Sequence, residues 1–165
     1  MRPLEPEAQP GRVAARRPAI RGAGLARVLL WILAAVAAET GIWALATPTG
    51  FYERFPGVGP YHWVAELPPY NEHLVRDVGA FYVAFAVLLA AAAIVLERRL
   101  VIVALLAFLT AQVPHLVFHV NHLEGLAAVD KTAQVGSLAL AVLAALVVLA
   151  LALWPGARRP DGDRA

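Results

Sequence analysis

The sequence predicts an all-α integral membrane protein, an antiparallel four-helix bundle, on three observations. The first is a set of long apolar blocks: Val78 to Leu96, Leu100 to Val120 and Thr132 to Trp154 hold no Asp, Glu, Lys or Arg. Each block is about 20 residues long, enough at 1.5 Å per residue to cross a hydrocarbon core of roughly 30 Å. The second is composition. The chain of 165 residues is 60% apolar, where soluble domains hold about 45–50%. The third is the distribution of arginine, which alternates from one inter-block segment to the next and so matches the alternating sides of a membrane.

A further block, about Leu25 to Thr47, carries Glu39 in its second half. Preceding arginines and Ala44-Leu45-Ala46 give it the look of a signal peptide. As a leader, however, it would be unusually long and would hold a glutamate in its apolar region, so it reads as the first span. The expected spans are then about 25–47, 76–96, 100–120 and 132–154. Residues 1–22, rich in Pro, Arg, Gly and Ala, are expected to form a disordered basic tail, and 156–165 a second, shorter one.

Thirteen of the fourteen basic residues are Arg, which with the abundant Ala suggests a GC-rich bacterial genome. Arg2, Arg12, Arg16, Arg17, Arg21 and Arg27 lie at or before the start of the first block; Arg98 and Arg99 form the second turn, and Arg158, Arg159 and Arg164 follow the last block. Only Arg54, Arg76 and Lys131 fall on the other side. Basic residues are retained in the cytoplasm, so both termini are expected there, in a plasma (inner) membrane. The same asymmetry accounts for the basic balance without nucleic acid as a partner. The chain has no cysteine, which excludes disulfides, thiolate metal sites and thiol catalysis.

Glu97-Arg98-Arg99 leaves room only for a tight turn. The first loop, about Pro48 to Tyr70, is different. Its prolines (Pro48, Pro56, Pro60, Pro68, Pro69) discourage regular helix, and Phe51, Tyr52, Phe55, Tyr61, Trp63 and Tyr70 are interleaved among them. Aromatic rings favour the membrane interface, so the loop either lies on the outer leaflet or forms a lid over a site between helices.

Candidate functional residues are the polar side chains within the spans. At 100° per residue His115, His119 and His122 fall within an arc of about 60°, and Gln112 extends the stripe one turn deeper. Three neutral imidazoles can bind a metal ion, and one can ligate haem iron. The same residues also suit a helix end at the interface without any ligand. Pro114 leaves the Thr110 carbonyl without its helical donor. His73, Arg76 and Asp77 share an arc of about 100° at the start of the second span. Glu39 is the costliest placement, at about 2.5–3.5 kcal/mol for an acid at mid-span. Such a residue usually faces the bundle interior, so Glu39 is expected to pair with Arg76 or with a histidine of span three.

Arg76-Asp77-Val78-Gly79, the hairpin at Glu97–Arg99 and Glu124-Gly125 before the last span give the chain a layout that resembles the DoxX-like group of small bacterial four-helix membrane proteins, over about residues 25–155. The resemblance implies a four-helix bundle in a group that includes quinone-linked oxidoreductase subunits; it transfers no catalytic residue. Three functional readings follow. One is an accessory or structural membrane protein, contacting the bilayer and a partner membrane subunit or further copies of itself. The others are a metal- or haem-dependent membrane oxidoreductase or hydrolase, and a small transporter or lipid-binding protein that uses Glu39. No nucleophile–base pair or nucleotide fingerprint points to a narrower class.

Overall fold

Long apolar runs without a polar stripe can satisfy their backbone in lipid only by coiling into helices. The computed structural model describes residues 20–59, 61–66, 69–124 and 126–154 and shows this outcome. Its elements are α1 (Ala23–Ala46), α2 (Pro48–Arg54), α3 (Glu72–Val95), α4 (Arg98–Asn121) and α5 (Ala128–Leu153). All but the seven-residue α2 are long and apolar enough to cross a membrane, and they pack antiparallel. The outer surface is apolar: Phe81 is 66% exposed and Leu140 67%, as expected for side chains that meet lipid rather than water. Of the expected tails, residues 1–19 and 155–165 lie outside the described part of the chain. Ile20 is already buried against the bundle.

The helices begin and end where local chemistry allows. Asn71 caps α3, its Oδ1 accepting from the Leu74 N–H at 3.1 Å, so this helix starts at Glu72, ahead of the apolar block and of the expected span. It ends at Leu96, which adopts a left-handed φ of 50° and packs its side chain on the core. Arg98 is already in α4, so the turn is as tight as expected. α4 continues through Pro114 to Asn121. The prolines of the first loop do not all oppose helix: Pro48 sits at the first position of α2, where a missing N–H is harmless.

In lipid no hydrophobic force draws apolar helices together, so association depends on close packing and polar contacts. α1 and α3 form the tightest pair. The buried face of α1 presents Ala34, Ala37, Gly41 and Ala44, and that of α3 presents Gly79, Ala86 and Ala93. At the crossing a Cβ on Gly41 would lie 2.7 Å from the Val83 nitrogen and 2.8 Å from the Gly79 carbonyl oxygen. Only glycine fits there. α4 and α5 form the second pair, and the two pairs touch less extensively through α1–α5 and α3–α4.

The pairs are drawn together at the end near the Arg98 turn. The largest fully buried side chains, Leu30, Leu89, Leu105, Val101 and Val148, all lie in that half. Arginines reinforce it. Arg27 Nε donates to the Ala93 carbonyl (3.1 Å) at the end of α3. Arg98 donates through Nε to Ala152 (2.7 Å) and through Nη2 to Leu153 (3.2 Å) at the end of α5. At the opposite end of the bundle Arg76 Nη1 donates to Leu45 (2.6 Å), near the end of α1. These carbonyls have no intrahelical donor and lie at the negative end of the helix dipole, so a guanidinium satisfies both.

Replacing Gly41 by Ala should therefore destabilise the bundle by about 1–3 kcal/mol, because the clash is with backbone and cannot be relieved by a rotamer change. Gly136→Ala in α5 meets nothing within 4 Å and should be neutral or stabilising. Unfolding of both variants in detergent by circular dichroism checks the contrast.

Candidate functional site

The two helix pairs separate in the half away from the Arg98 turn, and a cavity of about 710 Å³ lies between them. Every spanning helix contributes: Leu33, Val36, Ala37 and Thr40 from α1, Val75, Val78 and Tyr82 from α3, Phe108, Gln112, His115 and His119 from α4, and Gln134, Ser137, Leu138, Ala141 and Ala144 from α5. Ile32, Val36 and Leu140 line the cavity and are also more than half exposed. The cavity therefore opens sideways, between α1 and α5, onto the surface that meets lipid.

The first loop closes it from above. Phe51 and Phe55 lie 4.8 Å apart between ring centroids, Trp43 of α1 packs edge-on to Phe51 at 5.8 Å, and Trp63 packs edge-on to Phe55 at 6.1 Å. Gly57, at φ +81°, is pressed against Trp43 so closely that a Cβ would lie 2.9 Å from the indole ring. The row of rings reaches across the bundle to Trp63, whose Nε1 donates to Asp130 Oδ1 of α5 at 3.0 Å. Thr49 Oγ1 donates to the Tyr70 hydroxyl at 3.2 Å on the other flank. Phe51, Tyr52, Phe55, Pro56, Trp63 and Val64 all line the cavity. The loop is a lid, fastened at both of its ends.

Within this apolar chamber polar groups form a small set. Gln112 is buried, and its Nε2 donates to the Tyr82 hydroxyl at 3.2 Å. The His115 and His119 rings meet edge-on at 4.7 Å. His119 and Gln134 are both buried and touch across the α4–α5 interface. Gln134 Oε1 nevertheless has no partner that satisfies hydrogen-bond geometry. A buried amide oxygen left unpaired costs about 1–3 kcal/mol, and the His119 ring is the donor beside it, in contact but not aligned for a bond by strict geometry.

The residues expected to form one polar cluster fall into three places. Gln112, His115 and His119 line the cavity. His122 does not join them: it is the C-cap of α4, with φ −127° and ψ 58°, so helical spacing no longer governs its direction. Its ring stacks on Phe118 at 4.0 Å, and its Nδ1 lies 2.8 Å from the Phe118 carbonyl oxygen. Among the described residues no three His, Asp or Glu side chains are placed to hold a metal ion.

His73, Arg76 and Asp77 lie on the exposed start of α3. His73 Nδ1 is 3.0 Å from Asp77 Oδ2, and Arg76 pairs with Glu72 at 2.8 Å, each one helical turn apart. Exposed pairs of this kind contribute little to stability.

Glu39 is alone in the third place. It is exposed and makes no hydrogen bond or ion pair among the described residues. The expected pairing with Arg76 or a span-three histidine is not formed. The reason is rotational: the interior face of α1 is set by Ala37 and Gly41, and residue 39 lies about 160° from each.

Tyr82, Gln134 and Asp130 are parts of the site that the sequence reading passed over. For Tyr82 and Gln134 the available signal was an uncharged one, amide and phenol groups inside otherwise apolar spans. Comparison with protein-family models, curated proteins and solved structures returns no match for this chain.

If the Trp63–Asp130 bond fastens the lid, Trp63→Phe and Asp130→Ala should each destabilise by about 0.5–1.5 kcal/mol, and the double variant by no more than the larger single effect. Amide hydrogen exchange over residues 51–66 should rise in all three. Additive losses, or unchanged exchange, would show that the lid is held otherwise.

Proposed function

We propose that this protein binds a lipid-soluble molecule with a compact, uncharged polar head, taken from the membrane into the lidded cavity. The observation that carries the reading is Gln134 Oε1, buried on the wall of an otherwise largely apolar chamber with no well-aligned donor among the described residues. Pockets for small molecules are commonly apolar with a few placed polar groups, and volumes of about 300–1,000 Å³ are usual. The lateral opening suits entry from lipid. Among the described lining residues there is no Asp, Glu, Lys or Arg, so a charged head would be buried there without a counter-ion. A hydroxyl or N–H on the head would satisfy Gln134, and Tyr82, His115 and His119 stand beside it as further hydrogen-bonding groups.

The arginine distribution supports an orientation in which the Arg98 turn is cytoplasmic, the lid faces outward and the cavity draws on the outer leaflet of a plasma membrane. The DoxX-like relationship is compatible with this four-helix arrangement and rests on Arg76-Asp77-Val78-Gly79 and the Glu97 hairpin. The reading makes this a carrier or binding protein for a membrane-dissolved compound. Its polar residues position the ligand.

The test uses a tail-labelled fluorescent fatty alcohol, with its methyl ether as a control lacking the donor, and the full chain in detergent micelles. The alcohol should bind saturably and more tightly than the ether by about 1 kcal/mol, roughly fivefold. Gln134→Leu should remove that difference while leaving apolar binding. Ala141→Trp, which fills the chamber, should abolish binding of both probes at unchanged helicity. Absence of saturable binding, or equal affinity for alcohol and ether in the natural chain, would refute the reading.

A further inference from the structure

Glu39 marks a surface that the lipid-binding reading leaves unused, apart from Ile32 at the edge of the cavity mouth. It lies two residues deeper than Gly41, which packs on Gly79 and Val83, and is therefore level with the middle of α3. Its side chain is exposed and unpaired among the described residues, on the flank of the bundle rather than at either end. A carboxyl at that depth is tolerated where another polar group meets it, not where it faces lipid tails.

The residues around it form a seam. Val28, Ile32, Ala35, Glu39, Ile42 and Ala46 follow one another at intervals of four, three, four, three and four. All six are exposed. Intervals that alternate between three and four recur every seven residues, the repeat of a left-handed helix–helix contact. The other outward faces offer no free polar counterpart: α3 shows Phe81 and Val87, α4 shows Leu106 with Thr110, and α5 shows Leu140 with Ser137, the two hydroxyls being already bonded to the Leu106 and Gln134 carbonyls.

We propose that this face of α1 is the contact surface with a second copy of the chain, related by a twofold axis along the membrane normal. A copy inserted in the same direction brings its own Glu39 to the same depth, which no unrelated helix is bound to do. A carboxyl that carries its proton both donates and accepts, so two of them satisfy each other across the axis. Ala35, one turn before Glu39, lets the backbones approach, and Ile32 and Ile42 pack on either side. A twofold contact is self-complementary, as a single repeated seam requires.

The absence of native cysteine allows a direct test by single-cysteine cross-linking of the full chain in membranes of expressing cells, with two epitope tags distinguishing the copies. Ala35→Cys and Ile42→Cys should each yield a disulfide-linked dimer carrying both tags, and Val103→Cys on the exposed face of α4 should not. In the Ala35→Cys background, Glu39→Leu should weaken dimerisation about tenfold, whereas Glu39→Gln, which keeps a donor and an acceptor, should largely preserve it. The proposal is overturned by any of three results: no cross-link at Ala35 and Ile42, cross-linking at Val103 to the same extent, or an unchanged dimer with Glu39→Leu. Cross-linking at Ala35 to a different protein in place of the second tag would likewise overturn it.

Discussion

The close approach of α1 and α3 at Gly41 and Gly79 is the constraint on which the rest of the structure depends. Lipid gives no reason for apolar helices to prefer one another, so a specific bundle needs surfaces that fit better than lipid fits them. Glycine at both positions lets backbone meet backbone, an added Cβ meeting other atoms at 2.7 Å on Gly41 and at 3.0 Å on Gly79. The small residues on either side extend that fit along the helices. α4 and α5 have no comparable seam with this first pair. Large side chains such as Leu30, Leu89 and Leu105 hold the pairs together at one end, and the other end is left apart.

The cavity is a consequence of this unequal packing. Helices that separate towards one end must fill the space between them with side chains, lipid or ligand. Here the lid covers the gap from above, with rings from Trp43 to Trp63 forming a continuous cover tied to α5 through Asp130. The arginines act at the helix ends rather than in the cavity. Arg27, Arg76 and Arg98 each satisfy carbonyls at the C-terminal end of a helix other than their own. α4 is served locally, by Asn121 and His122 reaching back to Val117 and Phe118. These three guanidinium groups are thereby kept at the two rims, and the chamber is left to Gln, Tyr, His and Ser side chains.

The four spans and the tight hairpin were legible in the sequence because both rest on one-dimensional signals, the length of apolar runs and the brevity of a connection. The start of α3 was less so, because Asn71 and Glu72 begin a helix before apolarity begins. The site was legible only in part. Gln112, His115 and His119 line the cavity together because helical spacing is reliable inside a helix, and His122 leaves their stripe because it lies where the helix ends. Glu39 was expected inside because an acid in a span usually is; the small residues that decide which side of α1 is inside proved the better guide. Gln134 escaped notice because it is uncharged. Its importance lies in an unmet hydrogen bond, which only three-dimensional packing reveals.

The central claim is that the lidded space between the helix pairs is a binding chamber and not a fault in packing. A crystal structure of the full chain grown from a lipid phase tests it most directly. The account predicts non-protein density beneath the Phe51–Trp63 cover, with a polar atom of the bound molecule within about 3 Å of the Gln134 amide. A chamber closed by movement of α5 against α1, with the Gln134 oxygen paired to a protein group, would contradict it.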